Sequence, residues 1–153
     1  MICYNNENDI DISHCTKYLN KVKNIKICLV NNNSDDNTYD VLKEIRENCE
    51  SVSVVNIKKF KSDDSAVKAG ARYMASQFNL NHLGFVTLNK ANKDKSLSEL
   101  IKEIRDNQVH ILKYNQSFIN KKGIKLTMFQ SLFPVMDYIE KMTVKKEYST
   151  LDV

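Results

Sequence analysis

Glycine, proline and tryptophan are scarce: the 153 residues hold three, one and none of them. So little glycine and proline excludes a collagen-like chain and leaves no linker stretch that would divide it. No apolar run approaches the roughly 18 residues of a membrane span. The polar segment Asn5-Asn6-Glu7-Asn8-Asp9 cannot be the core of a signal peptide. Arginine is confined to Arg46, Arg72 and Arg105, so the excess of 23 basic over 19 acidic residues comes from scattered lysines. A nucleic-acid reader concentrates Arg and Lys on one stripe with aromatics between them. Only Lys58-Lys59-Phe60-Lys61 and Lys121-Lys122 hint at that, and no nucleic-acid partner is expected. Cys3, Cys15, Cys28 and Cys49 spell neither a C-x-x-C pair nor a zinc-binding spacing. Reduced, buried thiols in a cytoplasmic protein are the expectation.

What is present is ordinary globular material: 42% hydrophobic and 27% charged residues, with a net charge of +4. A chain of this length buries roughly 70% of its unfolded surface, enough for one core. Residues 1–153 are therefore expected to form a single domain.

Hydrophobic spacing divides the chain into alternating elements. Ile2-Cys3-Tyr4 reads as a short first strand. Asp9 or Asp11 caps a helix whose Cys15, Tyr18, Leu19 and Val22 share one face. Ile25 to Val30 is a buried strand, Thr38 to Asn48 a helix, and Ser51 to Ile57 a Val-rich strand. Ser62-Asp63-Asp64 starts a helix whose Ala66, Ala69, Gly70 and Tyr73 offer a small-residue face for close approach to a sheet. Leu83 to Leu88 is expected as a strand, and Ser96 heads a helix carrying Leu97, Leu100, Ile101 and Ile104. Val109 to Tyr114 is expected as a further strand. Gln130 to Met142 is expected as a last helix, with Pro134 in its first turn and a polar tail from Lys145. His14, His82 and His110 are too dispersed to spell a site.

Such alternation predicts an α/β fold, three layers α/β/α around a mostly parallel central sheet. Ligands of such sheets bind beyond the carboxyl ends of the strands. That directs attention to Tyr4 to Asp9, Asn31 to Asn37, Lys58 to Asp64, Asn89 to Lys95 and Asn115 to Gly123.

The order of these segments resembles the family-2 glycosyltransferases, whose fold is of the GT-A type; the likeness runs from Ile2 to about Tyr114. Ile2-Cys3-Tyr4-Asn5-Asn6 fills the place of the family's Pro-x-Tyr-Asn-Glu. Val30-Asn31-Asn32-Asn33-Ser34-Asp35-Asp36-Asn37-Thr38 fills that of Val-Asp-Asp-Gly-Ser-x-Asp-x-Thr and is the most specific segment. Asn33 in place of the turn glycine is mild, because Asn tolerates a left-handed backbone. Lys58 to Gly70 resembles the family's Asn-x-Gly-x-x-x-Ala-x-x-x-Gly in its helix but not in its glycine loop. Leu88-Asn89-Lys90-Ala91-Asn92-Lys93 stands where polyprenyl-phosphate glycosyltransferases, the nearest type, carry Leu-Asp-Ala-Asp-Leu-Gln.

The resemblance implies a nucleotide diphosphate sugar, a UDP- or GDP-sugar, as donor and transfer with inversion. It places Tyr4, Asn5, Asn31, Asn32, Lys68 and Asn89 at the nucleotide, with Asn32 offering a carbonyl where the family offers a carboxylate. In the family Mg²⁺ or Mn²⁺ bridges the diphosphate. Here Asn89 and Ala91 replace the usual ligands, Asp94 is a poor substitute, and no metal is expected. Lys90 or Lys93 could neutralise a diphosphate directly. Asp137 and Glu140, as candidates for a general base, fit a solvated helix face better, so no catalytic residue is assigned. Relative to the family the chain is expected to be shortened at both ends, its first strand beginning abruptly and its acceptor side limited to the residues after Ala91. A homo-oligomer or partner chain would complete that side, and the expected location is cytoplasmic or peripheral to a membrane.

Two readings follow: a metal-independent or slow glycosyltransferase, and a non-catalytic binding or scaffold derivative that has lost the Asp-x-Asp motif. A response-regulator-like domain would need an acidic pocket at the strand ends, and this one is rich in Asn.

Overall fold

Alternating faces of short apolar strands set the architecture. The computed structural model describes residues 1–88, 95–123 and 125–151, the last seven in backbone only. Strands β1 (Ile2–Cys3), β2 (Ile27–Asn32) and β3 (Val52–Ile57) pair in parallel with β2 in the middle. Along β2, Leu29 points into a core shared with Cys3, Leu19, Leu42 and Leu100. Cys28 and Val30 point into the opposite core with Ile2, Ala66 and Met74. Both faces of β2 are buried, as the middle of a parallel sheet requires, and those of β3 at the edge partly so.

The helices cover those faces. Helix α1 (Ile12–Leu19) is capped by Asp11, whose side chain accepts from the His14 N–H at 2.9 Å, and α2 (Thr38–Glu47) buries Leu42 and Ile45. Helix α3 (Asp63–Gln77) lies on the other face, where Gly70 approaches so closely that a Cβ would sit 2.8 Å from Val30 Cγ2. The small-residue face read from the sequence serves this approach.

A second parallel pair, β4 (Gly84–Phe85) and β5 (Phe133–Pro134), joins the first sheet through one bridge between Ile2 and Thr87. There the Ile2 N–H donates to Val86 C=O at 2.8 Å. The fold is thus three-layered α/β with parallel strand pairing throughout the described residues, as expected.

Expectations for the second half are corrected. Val109 to Tyr114 is not a strand but part of α4 (Leu97–Lys122). The capping box of Ser96 and Glu99 starts this helix, and neither Gly nor Pro interrupts it before Gly123, which ends it at φ 61°. Ile104, Ile111 and Asn115 continue the helical stripe begun by Leu97 and Leu100, so periodicity outweighs the local β propensity. Asn115 to Lys122 is therefore helix rather than a strand-end loop. The strand expected over Leu83 to Leu88 is reduced to Gly84–Phe85 with a bridge at Thr87. The last helix is α5 (Val135–Leu151), and Pro134, expected in its first turn, pairs in β5 instead. The backbone beyond Lys145, expected as a tail, stays helical to Leu151.

Candidate functional site

The carboxyl ends of β1 and β2 are bound into one unit by polar groups that the chain places in pairs. The Asn5 N–H donates to Ser34 Oγ at 3.0 Å, and Asn5 Oδ1 accepts from the Asp35 N–H at 2.8 Å. The Asn6 N–H donates to the fully buried Thr38 hydroxyl at 2.8 Å. Glu7 and Asp36 complete the lacing: the Glu7 N–H donates to Asp36 Oδ2, while Glu7 Oε2 accepts from the Asn37 N–H. Burial pushes the Asp36 carboxyl up, but hydrogen bonds from the Thr38 side chain and backbone and from the Glu7 N–H outweigh it. The net result lies below the ordinary value. Asn5 and Asn33 take the left-handed backbone at φ 51° and 57°, so Asn33 does stand where a turn glycine would.

Asn31 and Asn32, adjacent on β2, are both buried and both committed. The Asn31 amide donates to Asn56 Oδ1 at 2.9 Å, across the sheet from its register partner on β3. Its oxygen accepts from the Ser34 N–H and hydroxyl. Asn32 Nδ2 donates to Lys61 C=O at 2.8 Å, and Asn32 Oδ1 accepts from the Lys61 N–H at 3.1 Å. That amide therefore holds the Lys58 to Ser62 segment after β3. In the same segment Phe60, 53% exposed, meets the Tyr4 ring edge-on at 5.0 Å between centroids.

Of the residues assigned to the nucleotide, Tyr4, Asn5, Asn31 and Asn32 thus meet at one end of the sheet. Lys68 lies on α3, with Nζ 2.7 Å from Asp64 in a largely exposed i, i+4 pair. Asn89, together with Lys90, Ala91, Lys93 and Asp94, lies outside the described residues. Asp137 and Glu140 are exposed on α5. His82 is bound to the buried Asn115, which also accepts from the Tyr138 hydroxyl at 3.2 Å. Asn56 carries no signal in the sequence, and Phe60 stands out there only as the aromatic within the basic run Lys58-Lys59-Phe60-Lys61.

Divalent cations prefer clustered carboxylates. Among the described residues no three His, Cys, Asp or Glu side chains come together for a metal, and the Asn31 and Asn32 oxygens are already engaged. The described donors do not fit Mg²⁺ or Mn²⁺. A cavity of about 790 Å³ opens elsewhere, at the amino ends of the strands, between Ile27, Met74, Leu83 and Ile111. Its walls are mostly apolar and include none of the strand-end loops.

The sequence model of the family described as Glycosyl transferase family 2 matches residues 1–150, and the chain belongs to that family. No curated protein and no solved structure gives a significant match. Among the described residues no helix is long and apolar enough to cross a membrane.

Proposed function

We propose that residues 1–153 form one donor-binding unit of the family-2 type, which holds a UDP- or GDP-sugar beyond the carboxyl ends of β1, β2 and β3. The observation that carries this reading is the lacing of Asn5, Asn6 and Glu7 to Ser34, Asp35, Asp36 and Thr38. It pre-forms two of the loops at which parallel sheets take ligands. Tyr4 supplies an aromatic wall. Transfer proceeds with inversion and without a resident metal, the charge of the diphosphate being met by lysines. Nucleotides at about 100 times their dissociation constant add about 2.7 kcal/mol of stability. Thermal unfolding with UDP, GDP and their sugar conjugates, with and without Mn²⁺, therefore tests the reading. A rise of several degrees that needs no Mn²⁺ supports it, and no rise with any of them rejects it.

One observation favours a second reading, a non-catalytic binding or scaffold domain. Both polar atoms of the buried Asn32 amide bond Lys61, so this side chain is turned to the loop rather than presented to a base. Donor-nucleotide binding without hydrolysis or transfer of the sugar would mark this alternative.

A further inference from the structure

We infer that Asn32 is a positioning residue for the Lys58 to Lys61 segment, and that this segment, with Phe60 as a stacking face and its lysines as counter-charges, receives a nucleoside diphosphate. The inference rests on the donor-binding reading above and assigns a different part of the chain to the work. Asn32 is 1% exposed, and its amide pairs with the backbone of a single residue, donating to Lys61 C=O and accepting from Lys61 N–H. The backbone of one residue offers one N–H donor and one C=O acceptor, so among side chains of this size only an amide answers both. An aspartate there would lose the donated bond and set a charged oxygen against the Lys61 carbonyl in a buried place.

The fastened segment carries Phe60 to the rim beside Tyr4, with about half of its surface open. An exposed ring at a strand end has little to gain from the core and much from a stacked base. Lys58, Lys59 and Lys61 are all exposed. With Lys68 they stand against Asp63 and Asp64, which leaves this rim net positive, the sign a diphosphate needs. The family's carboxylate at position 32 would thus weaken nucleotide binding in this chain rather than restore it.

Two measurements on the full chain test this. Trypsin cleavage after Lys58, Lys59 and Lys61, followed by mass spectrometry under native conditions, reads how firmly the segment is held. Calorimetric titration with UDP, GDP and inorganic pyrophosphate reads affinity. Asn32→Asp is expected to speed cleavage in this segment and to lower UDP or GDP affinity by about tenfold, the worth of one buried hydrogen bond. Phe60→Ala, at an exposed position that leaves folding intact, is expected to lower nucleotide affinity by about tenfold while leaving pyrophosphate binding unchanged. Asn32→Asp with an unaltered cleavage pattern, or with tighter nucleotide binding, overturns the positioning role. Phe60→Ala with unchanged nucleotide affinity overturns the stacking role, even where Asn32→Asp fails to fold. Absence of nucleotide and pyrophosphate binding by the unaltered chain overturns both the ligand assignment and the donor reading. Faster cleavage of Asn32→Asp would in that case still establish the fastening by itself.

Discussion

Asn31 and Asn56 face each other in register across β2 and β3, and the Asn31 amide donates to the Asn56 oxygen at 2.9 Å. A side-chain partner can rotate, whereas the Lys61 backbone that answers Asn32 cannot. Asn31→Asp is therefore expected to be tolerated within about 1 kcal/mol, because the Asn56 amide can turn to donate. Asn31→Leu strands the Ser34 and Asn56 groups and should cost about 1–3 kcal/mol. Urea unfolding of the two variants checks the contrast.

The loop after β2 depends on a backbone conformation that few residues accept. Asn33, at φ 57°, can become Gly with little loss, while Asn33→Val should destabilise by about 1–2 kcal/mol. Unfolding midpoints in urea would show Val well below Gly.

Asp36 makes stability depend on acid. Its folded carboxyl titrates below the ordinary 3.8, so its contribution is complete above that value and is lost as pH falls through the lower, folded one. Stability should therefore decline below about pH 4, and Asp36→Asn should flatten that part of the curve. Thermal midpoints from pH 6 to pH 2.5 give the slope.

Close approach of α3 to the sheet is expected to tolerate no added atom. A Cβ at Gly70 would lie 2.8 Å from Val30 Cγ2, so Gly70→Ala should cost about 1–3 kcal/mol despite the better helix propensity of alanine. A denaturation midpoint higher than that of the unaltered chain would contradict this packing.

The four cysteines are free and buried. Burial pushes the Cys3 and Cys15 thiols up to about 12, and raises those of Cys28 and Cys49 as well. Labelling with iodoacetamide at pH 8 should be slow in the folded chain and complete in urea. Rapid labelling of Cys3 in the folded chain would show that the first strand opens.

Local signals were enough for the first half of the molecule. Asp11 and Ser62 cap the helices they were expected to cap, and the run from Ile25 and the Val-rich run became β2 and β3, because capping and apolar patterning are written in neighbouring residues. Asn33 could be placed in a left-handed turn from residue type alone. The second half was less legible: Val109 to Tyr114 has strand-forming residues, yet the stripe from Leu97 to Asn115 needed α1 and α5 beside it to become one helix. Pro134 finds its place in β5 only because Gly84 and Phe85 lie alongside.

Sequence by itself determined the class of fold and the order of its strand-end loops, since both follow from periodicity and short motifs. The tasks of the asparagines were decided by tertiary structure. An amide carries a donor and an acceptor in every setting, and which groups it answers depends on what the fold sets opposite. For Asn31 that is Asn56 and Ser34, and for Asn32 it is the backbone of Lys61, 29 residues away in the chain.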